Sequence, residues 1–162
     1  MRSLEAGLRP FLKWIPAALA ASVLGASISA NAACTRMEFA VVDPQGPRTI
    51  TGPSGKVLHL EAAPLVTIAD FTGANVSLTE NQIVLNISLD RDGGGRLRQF
   101  SKDHVGTTIA FIVDGDVIKA ARILDPIQFD GFLVGPLERP KAEALADAIN
   151  KSASDAACTR ER

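Results

Sequence analysis

Apolar and polar positions change period several times along the chain, and each change marks an element. Met37 to Val42 is an apolar run carrying Phe39, Val41 and Val42, closed by Asp43-Pro44, which predicts a strand. From 43 to 56 turn chemistry replaces periodicity, with Pro44, Gly46, Pro47, Gly52, Pro53 and Gly55, so this stretch reads as an exposed, flexible loop. Alternation returns over Val57 to Glu61, whereas Pro64 to Thr72 is too short and mixed to assign. Over Gln82 to Leu89 the period is two. Ile83, Leu85, Ile87 and Leu89 share one face, and Asn75 to Leu78 precedes them across Thr79-Glu80-Asn81, a hairpin with one buried side.

After Asp90 the period lengthens. Asp92 is placed to cap a helix starting in Gly93-Gly94-Gly95, on which Leu97, Phe100, His104 and Val105 recur at helical spacing until Gly106. Thr107 to Val113 is a β-branched run, Asp114-Gly115 is the strongest hairpin signal in the chain, and Val117 to Leu124 returns as its partner. Gln128 to Val134 reads as one more strand, bearing Phe129, Phe132 and Leu133. Arg139 to Asp155 is helical, with Ala142, Leu145, Ala146, Ile149 and Ala153 on one stripe and Pro140 tolerated in the first turn. The class that follows is α+β, a largely antiparallel sheet with two helices packed on one face.

The first residues follow a different logic. Arg2, Arg9 and Lys13 precede an apolar stretch from Ile15 to Leu24, and small residues lead to Ala30-Asn31-Ala32. That is the layout of a secretory signal peptide over 1–32, cut after Ala32, which leaves 33–162 as a single domain. Two other readings stay open. Trp14 to Ala33 is free of charge and matches the ~20 residues of a membrane anchor, although Ser22, Ser27, Ser29 and Asn31 weaken it. Ala32-Ala33-Cys34 resembles the end of a lipidation signal, with Asn31 where a Leu-like residue belongs.

Charge and composition then narrow the classes. The 162 residues hold 17 basic and 18 acidic side chains, and cleavage removes three basic and one acidic, for a net charge of −3. Nothing in this balance recruits nucleic acid. Aromatics are 5%, Tyr is absent and Trp14 is the sole Trp, so stacking platforms for bases or sugars are lacking. No later apolar run reaches membrane-spanning length. The two cysteines, Cys34 and Cys158, fall near the two ends of the 33–162 segment. In an oxidising compartment this placement predicts a disulfide, worth up to ~4 to 5 kcal/mol in the chain-entropy model, against the alternative of two unpaired thiols.

Chemical motifs are sparse. Gly93-Gly94-Gly95-Arg96 could hold a phosphate on helix-start amides, but no Gly-Lys-Ser/Thr ending follows, and a flexible helix start is the simpler reading. Asp114-Gly115-Asp116 lacks the rest of a calcium loop. His59 and His104 have no spaced partners, so no metal site or cofactor is expected. Neither Gly-x-Ser-x-Gly nor Ser-x-x-Lys occurs. Asp114, Asp125 and Asp130 are the only carboxylates that tempt a hydrolase reading, which would require them to converge in a deep pocket. The expectation is a protein without catalysis.

One resemblance adds to this. Phe100-Ser-Lys-Asp-His-Val-Gly106, Ile109-Ala-Phe-Ile-Val-Asp-Gly115, Val117-Ile-Lys-Ala-Ala and Asp125-Pro-Ile127 resemble the head of the first periplasmic domain of SecD, a subunit of the bacterial protein-export translocase. Met37-Glu-Phe-Ala-Val-Val-Asp43, Val76-Ser-Leu, Ile87-Ser-Leu-Asp90 and Glu138 to Ile149 extend it over nearly all of 33–162. SecD's membrane helices have no counterpart here, its Gly-rich segment is shortened to Gln128-Phe-Asp-Gly131, and the terminal cysteines are not part of its pattern. The resemblance implies a stand-alone exported head that contacts unfolded polypeptide or export machinery in the periplasm. Phe129, Phe132 and Leu133 are the candidate contacts, Phe129 and Leu133 facing one way and Phe132 the other. The competing class is a structural or inhibitory envelope protein, with a small hydrolase behind it.

Overall fold

The computed structural model describes residues 34–155; the signal peptide read over 1–32 and Cys158 lie outside the described residues. Four strands come first: β1 (Met37–Val42), β2 (Arg48–Thr51), β3 (Val57–Leu60) and β4 (Val66–Thr67), followed by a 3-10 turn at Ile68–Asp70. Then come β5 (Phe71–Thr79), β6 (Gln82–Leu89), α1 (Arg91–Asp103), β7 (Thr108–Val113), β8 (Asp116–Arg122), β9 (Gly131–Val134) and α2 (Arg139–Ser154).

The α+β class holds, and every strand pair is antiparallel. The strands divide between two sheets. A six-stranded sheet runs β2-β3-β1-β7-β8, with β4 joining β1 beside β3, and a three-stranded sheet runs β5-β6-β9. The period of two tells which face of a strand is buried but not which neighbour it meets, so this division is invisible to patterning.

Both strong hairpin signals are realised as two-residue turns. Glu80 and Asn81 take φ of 49° and 62°, and Asp114 and Gly115 take 49° and 90°. Paired positive φ values of this kind match the right-handed twist of the strands they join. The segment 43–56, expected to be a flexible loop, instead contains β2, paired with β3 from Arg48↔Leu60 to Thr51↔Val57. Its prolines and glycines bound a strand rather than abolish one, because Thr49-Ile50-Thr51 is a β-branched run between Pro47 and Gly52. The helix cap also shifts. Asp90, not Asp92, is the N-cap, its carboxylate accepting from Gly93 N–H at 2.8 Å, and Asp92 falls in the first turn.

The main core lies between the large sheet, the small sheet and the helices. Phe39, Ile109 and Phe111 pack from the first, Leu85 and Ile87 from the second, Leu97 from α1, and Leu145 and Ile149 from α2. Phe39 is its hinge, stacked on Phe111 at 4.7 Å between ring centroids and on Phe132 at 3.6 Å. The opposite face of the large sheet carries a smaller cluster of Ala40, Leu60, Ala110, Ile112 and Val117, with Ile50 of β2 packed against it. That cluster is buried because the sheet curls and brings β2 towards β8.

Candidate functional site

The carboxylates that a hydrolase would need do not converge. Asp114 closes the β7–β8 turn, where its Oδ1 accepts from Arg36 N–H at 2.8 Å and its N–H donates to Arg36 O at 2.7 Å. Asp130 forms an ion pair with Arg98 of α1. Asp125 stands on the rim of a separate groove. Among the described residues no group of three or more His, Cys, Asp or Glu is arranged to hold a metal ion. His104 is the C-cap of α1, its ring stacked on Phe100 at 4.2 Å.

The glycine run at the start of α1 is filled by protein rather than open to a ligand. A side chain at Gly94 would lie 2.7 Å from Asp130 Cγ, and one at Gly93 would lie 2.8 Å from Asp70 Cβ. Asp90 already takes the Gly93 amide, and Arg96 neutralises Asp70 at 2.7 Å. Protein carboxylates therefore already occupy the Gly93 amide and the space over Gly94 that an anion at this helix start would need.

Two of the concavities lined by described residues bear on the site. One, about 770 Å³, lies beside β1, β2 and β4. There Glu38 pairs with Arg48 and Asp114 accepts from the Arg36 backbone, while Arg48 Nη1 is buried without a hydrogen-bond partner among the described residues. The other, about 660 Å³, lies between the terminal strands of the two sheets, where β8 and the segment from Ile123 to Val134 face each other. Its floor is the aromatic stack itself, Phe39, Phe111 and Phe132, with Ile109 and Val134. Around the floor stand Leu124 at 76% exposure, Phe129 at 52% and Leu133 at 58%. Three large apolar side chains are thus left in water around one apolar floor.

The sequence-predicted contacts thus separate. Phe129 and Leu133 are exposed at the groove, while Phe132 turns inward and is half-buried against Phe39. Leu124 was not singled out by patterning. It could have been found there, because Ile123 and Leu124 are consecutive apolar residues at the end of a strand and only one can face the core. Ser101 escaped as well. It lies on the buried stripe four residues after Leu97, is fully buried, donates to Arg98 O at 2.9 Å and accepts from Ile127 N–H at 2.9 Å. This hydroxyl, together with the Arg98–Asp130 ion pair, fastens the loop that carries Leu124 and Phe129 to α1.

Residues 45–154 match the family described as "SecDF, P1 head subdomain". The chain belongs to that family. A P1 head is thus the framework on which the groove is built. Over 103 residues the chain is 33% identical to the protein translocase subunit SecD of Koribacter versatilis (strain Ellin345), covering 62% of this chain and 19% of that protein. It therefore spans about a fifth of the length of that relative.

Solved SecDF structures share the P1 head fold. A SecDF described as a membrane component that enhances protein export aligns with TM-score 0.58 and 17% identity, over 72% of this chain and 62% of that one. SecDF in a super-membrane-facing form gives 0.59 and 17%, over 72% and 18%. The translocon-associated SecDF of Thermus thermophilus gives 0.54 and 16%, over 74% and 20%. At such identities the likeness is one of fold. Among the described residues, no helix of this P1 head is long and apolar enough to cross a membrane.

Proposed function

We propose that this P1 head is an exported, non-catalytic module that binds unfolded polypeptide in the groove between β8 and β9. In this reading residues 1–32 direct export and are removed after Ala32, the domain works in the periplasm, and Cys34 and Cys158 are joined. The observation that carries the reading is the ring of Leu124, Phe129 and Leu133 around the aromatic floor. Leaving three such side chains in water costs stability that binding recovers, since each buried Leu or Phe contributes about 1.5–3 kcal/mol. Family membership supports the same direction, because a SecDF that shares this fold is described as enhancing protein export.

The test is binding of a permanently unfolded secretory polypeptide to the purified chain, followed by anisotropy or calorimetry. Leu133→Asp and Phe129→Asp are expected to weaken it at least about tenfold each, the equivalent of ~1.4 kcal/mol, with thermal melting unchanged because both side chains are solvent-exposed. Equal affinity in the wild type and both variants would remove the groove from the reading. Tight one-to-one binding of a folded envelope protein, with no affinity for unfolded chains, would favour the structural or inhibitory class instead.

A further inference from the structure

Among the described residues, and apart from the two-residue β4 beside β3, the two strand paths end in four edge strands, three of them closed by recognisable devices. The edge of β5 is covered by α2, where the Asn150 side chain accepts from Ala74 N–H at 2.8 Å and donates to Ala74 O at 2.9 Å, as a neighbouring strand would. The edge of β2 is four residues long and bracketed by Pro47 and Pro53. That of β9 is also four residues long, with Gly131 and Val134 buried and Pro136 following. The remaining edge, β8, has no such protection beyond its first half. Val117 is buried in the cluster shared with Ile50 of β2, but Ala120, Ala121 and Arg122 are exposed.

The phase of the ladder says which backbone groups this edge offers. Ile123 N–H donates to Thr107 O at 2.8 Å, and Ala121 stands opposite Ile109. In an antiparallel pair the bonding direction alternates, so Ala121 bonds towards β7, and the N–H and C=O of Ala120 and Arg122 turn away from it. Both residues are exposed. Ala120 and Ala121 have only methyl side chains, and Arg122 is folded back, its Nε donating to Gly106 O at 2.7 Å. The Ala121 side of the strand is the side that lines the groove.

We propose that the polypeptide bound in the groove adds as a strand to β8, its backbone pairing with Ala120 and Arg122. This rests on the reading of the groove as a polypeptide site and names the class of segment it takes. Only an extended backbone supplies a donor and an acceptor at the spacing of two outward residues on a strand. A strand in that position points alternate side chains at Phe129, Leu133 and the aromatic floor, and the others at water. The preferred ligand is therefore a segment with apolar residues at every second position, the pattern of exported chains that later form half-buried or barrel strands.

The experiment uses the full chain and a synthetic ten-residue peptide of alternating apolar and polar residues. Its partners are a peptide of the same composition rearranged to helical spacing and a series N-methylated at one position each. The alternating peptide is expected to bind about tenfold tighter than the rearranged one, and methylation to cost about tenfold at one alternating set of central positions and little at the other, the loss of one backbone hydrogen bond. Amide exchange at Ala120 and Arg122 should slow in the complex. Ala120→Pro removes an outward donor while sparing the β7 ladder, and is expected to lose the same factor. Should that variant melt early, the methylation series decides alone. Binding of the alternating peptide with no positional effect of methylation and no protection at Ala120 and Arg122 overturns strand addition and leaves the groove reading standing. No binding of any peptide or unfolded chain, with Leu133→Asp indistinguishable from wild type, overturns both.

Discussion

Single residues decide whether the start of α1 is a weakness or a fit. Three consecutive glycines in a first turn look like a cost, since each is worth about 1 kcal/mol less than Ala in a helix. Two of them are bound by their surroundings, Gly93 by Asp70 and Gly94 by Asp130, while a side chain at Gly95 would meet nothing within 4 Å. Gly95→Ala is therefore expected to raise stability by about 1 kcal/mol. Gly94→Ala should lower it by about 1–3 kcal/mol, because the Asp130 carboxylate has to leave. Urea midpoints at constant slope measure both, and a stabilised Gly94→Ala would refute the fit. Ser101→Ala leaves the part-buried Ile127 N–H without its acceptor and should cost about 1 kcal/mol. Because that bond holds the loop bearing Leu124 and Phe129, the same variant should also bind unfolded polypeptide more weakly at temperatures where it remains folded. None of this was readable from the glycine run alone, since Asp70 and Asp130 reach it only through the fold.

Elements were legible wherever local chemistry dictates the outcome. The paired positive-φ turns at Glu80-Asn81 and Asp114-Gly115 fix both long hairpins, and the apolar stripe from Ala142 to Ile149 fixes α2. Legibility fails where an element depends on its partner. β2 is four residues among prolines and exists because β3 pairs with it, and β4 is two residues long and stands only against Glu38 and Phe39 of β1. The edge role of α2 is of the same kind. Asn150 sits within an ordinary helical stretch, and its amide completes β5 only because the helix lies across that strand. Asn150→Ala deletes both bonds to Ala74, so a loss of about 1–2 kcal/mol is expected, together with faster exchange of the Ala74 amide. Unchanged exchange there would mean that α2 covers this edge by packing alone.

At the scale of the molecule, the division into two sheets creates the groove, and the ends of the chain bear on how firmly that division is held. Cys34 lies three residues before β1, the central strand of the large sheet, and Cys158 lies four residues after α2, which packs on the small one. The disulfide proposed between them would tie the segment leading into one sheet to the segment leaving the other. Its stabilising effect acts mainly on the unfolded chain, and closing a loop of this length predicts a contribution of up to about 5 kcal/mol. The groove walls are set by the aromatic stack and the Ser101 bond rather than by the chain ends. Reduction is therefore expected to lower the denaturation midpoint strongly while leaving affinity for unfolded polypeptide unchanged below the melting range. Alkylation of the native protein after export should label neither thiol until reductant is added, and Cys34→Ser should reproduce the stability of the reduced form. Full labelling without reductant, or a midpoint indifferent to it, would show that the two sheets are held together by packing alone.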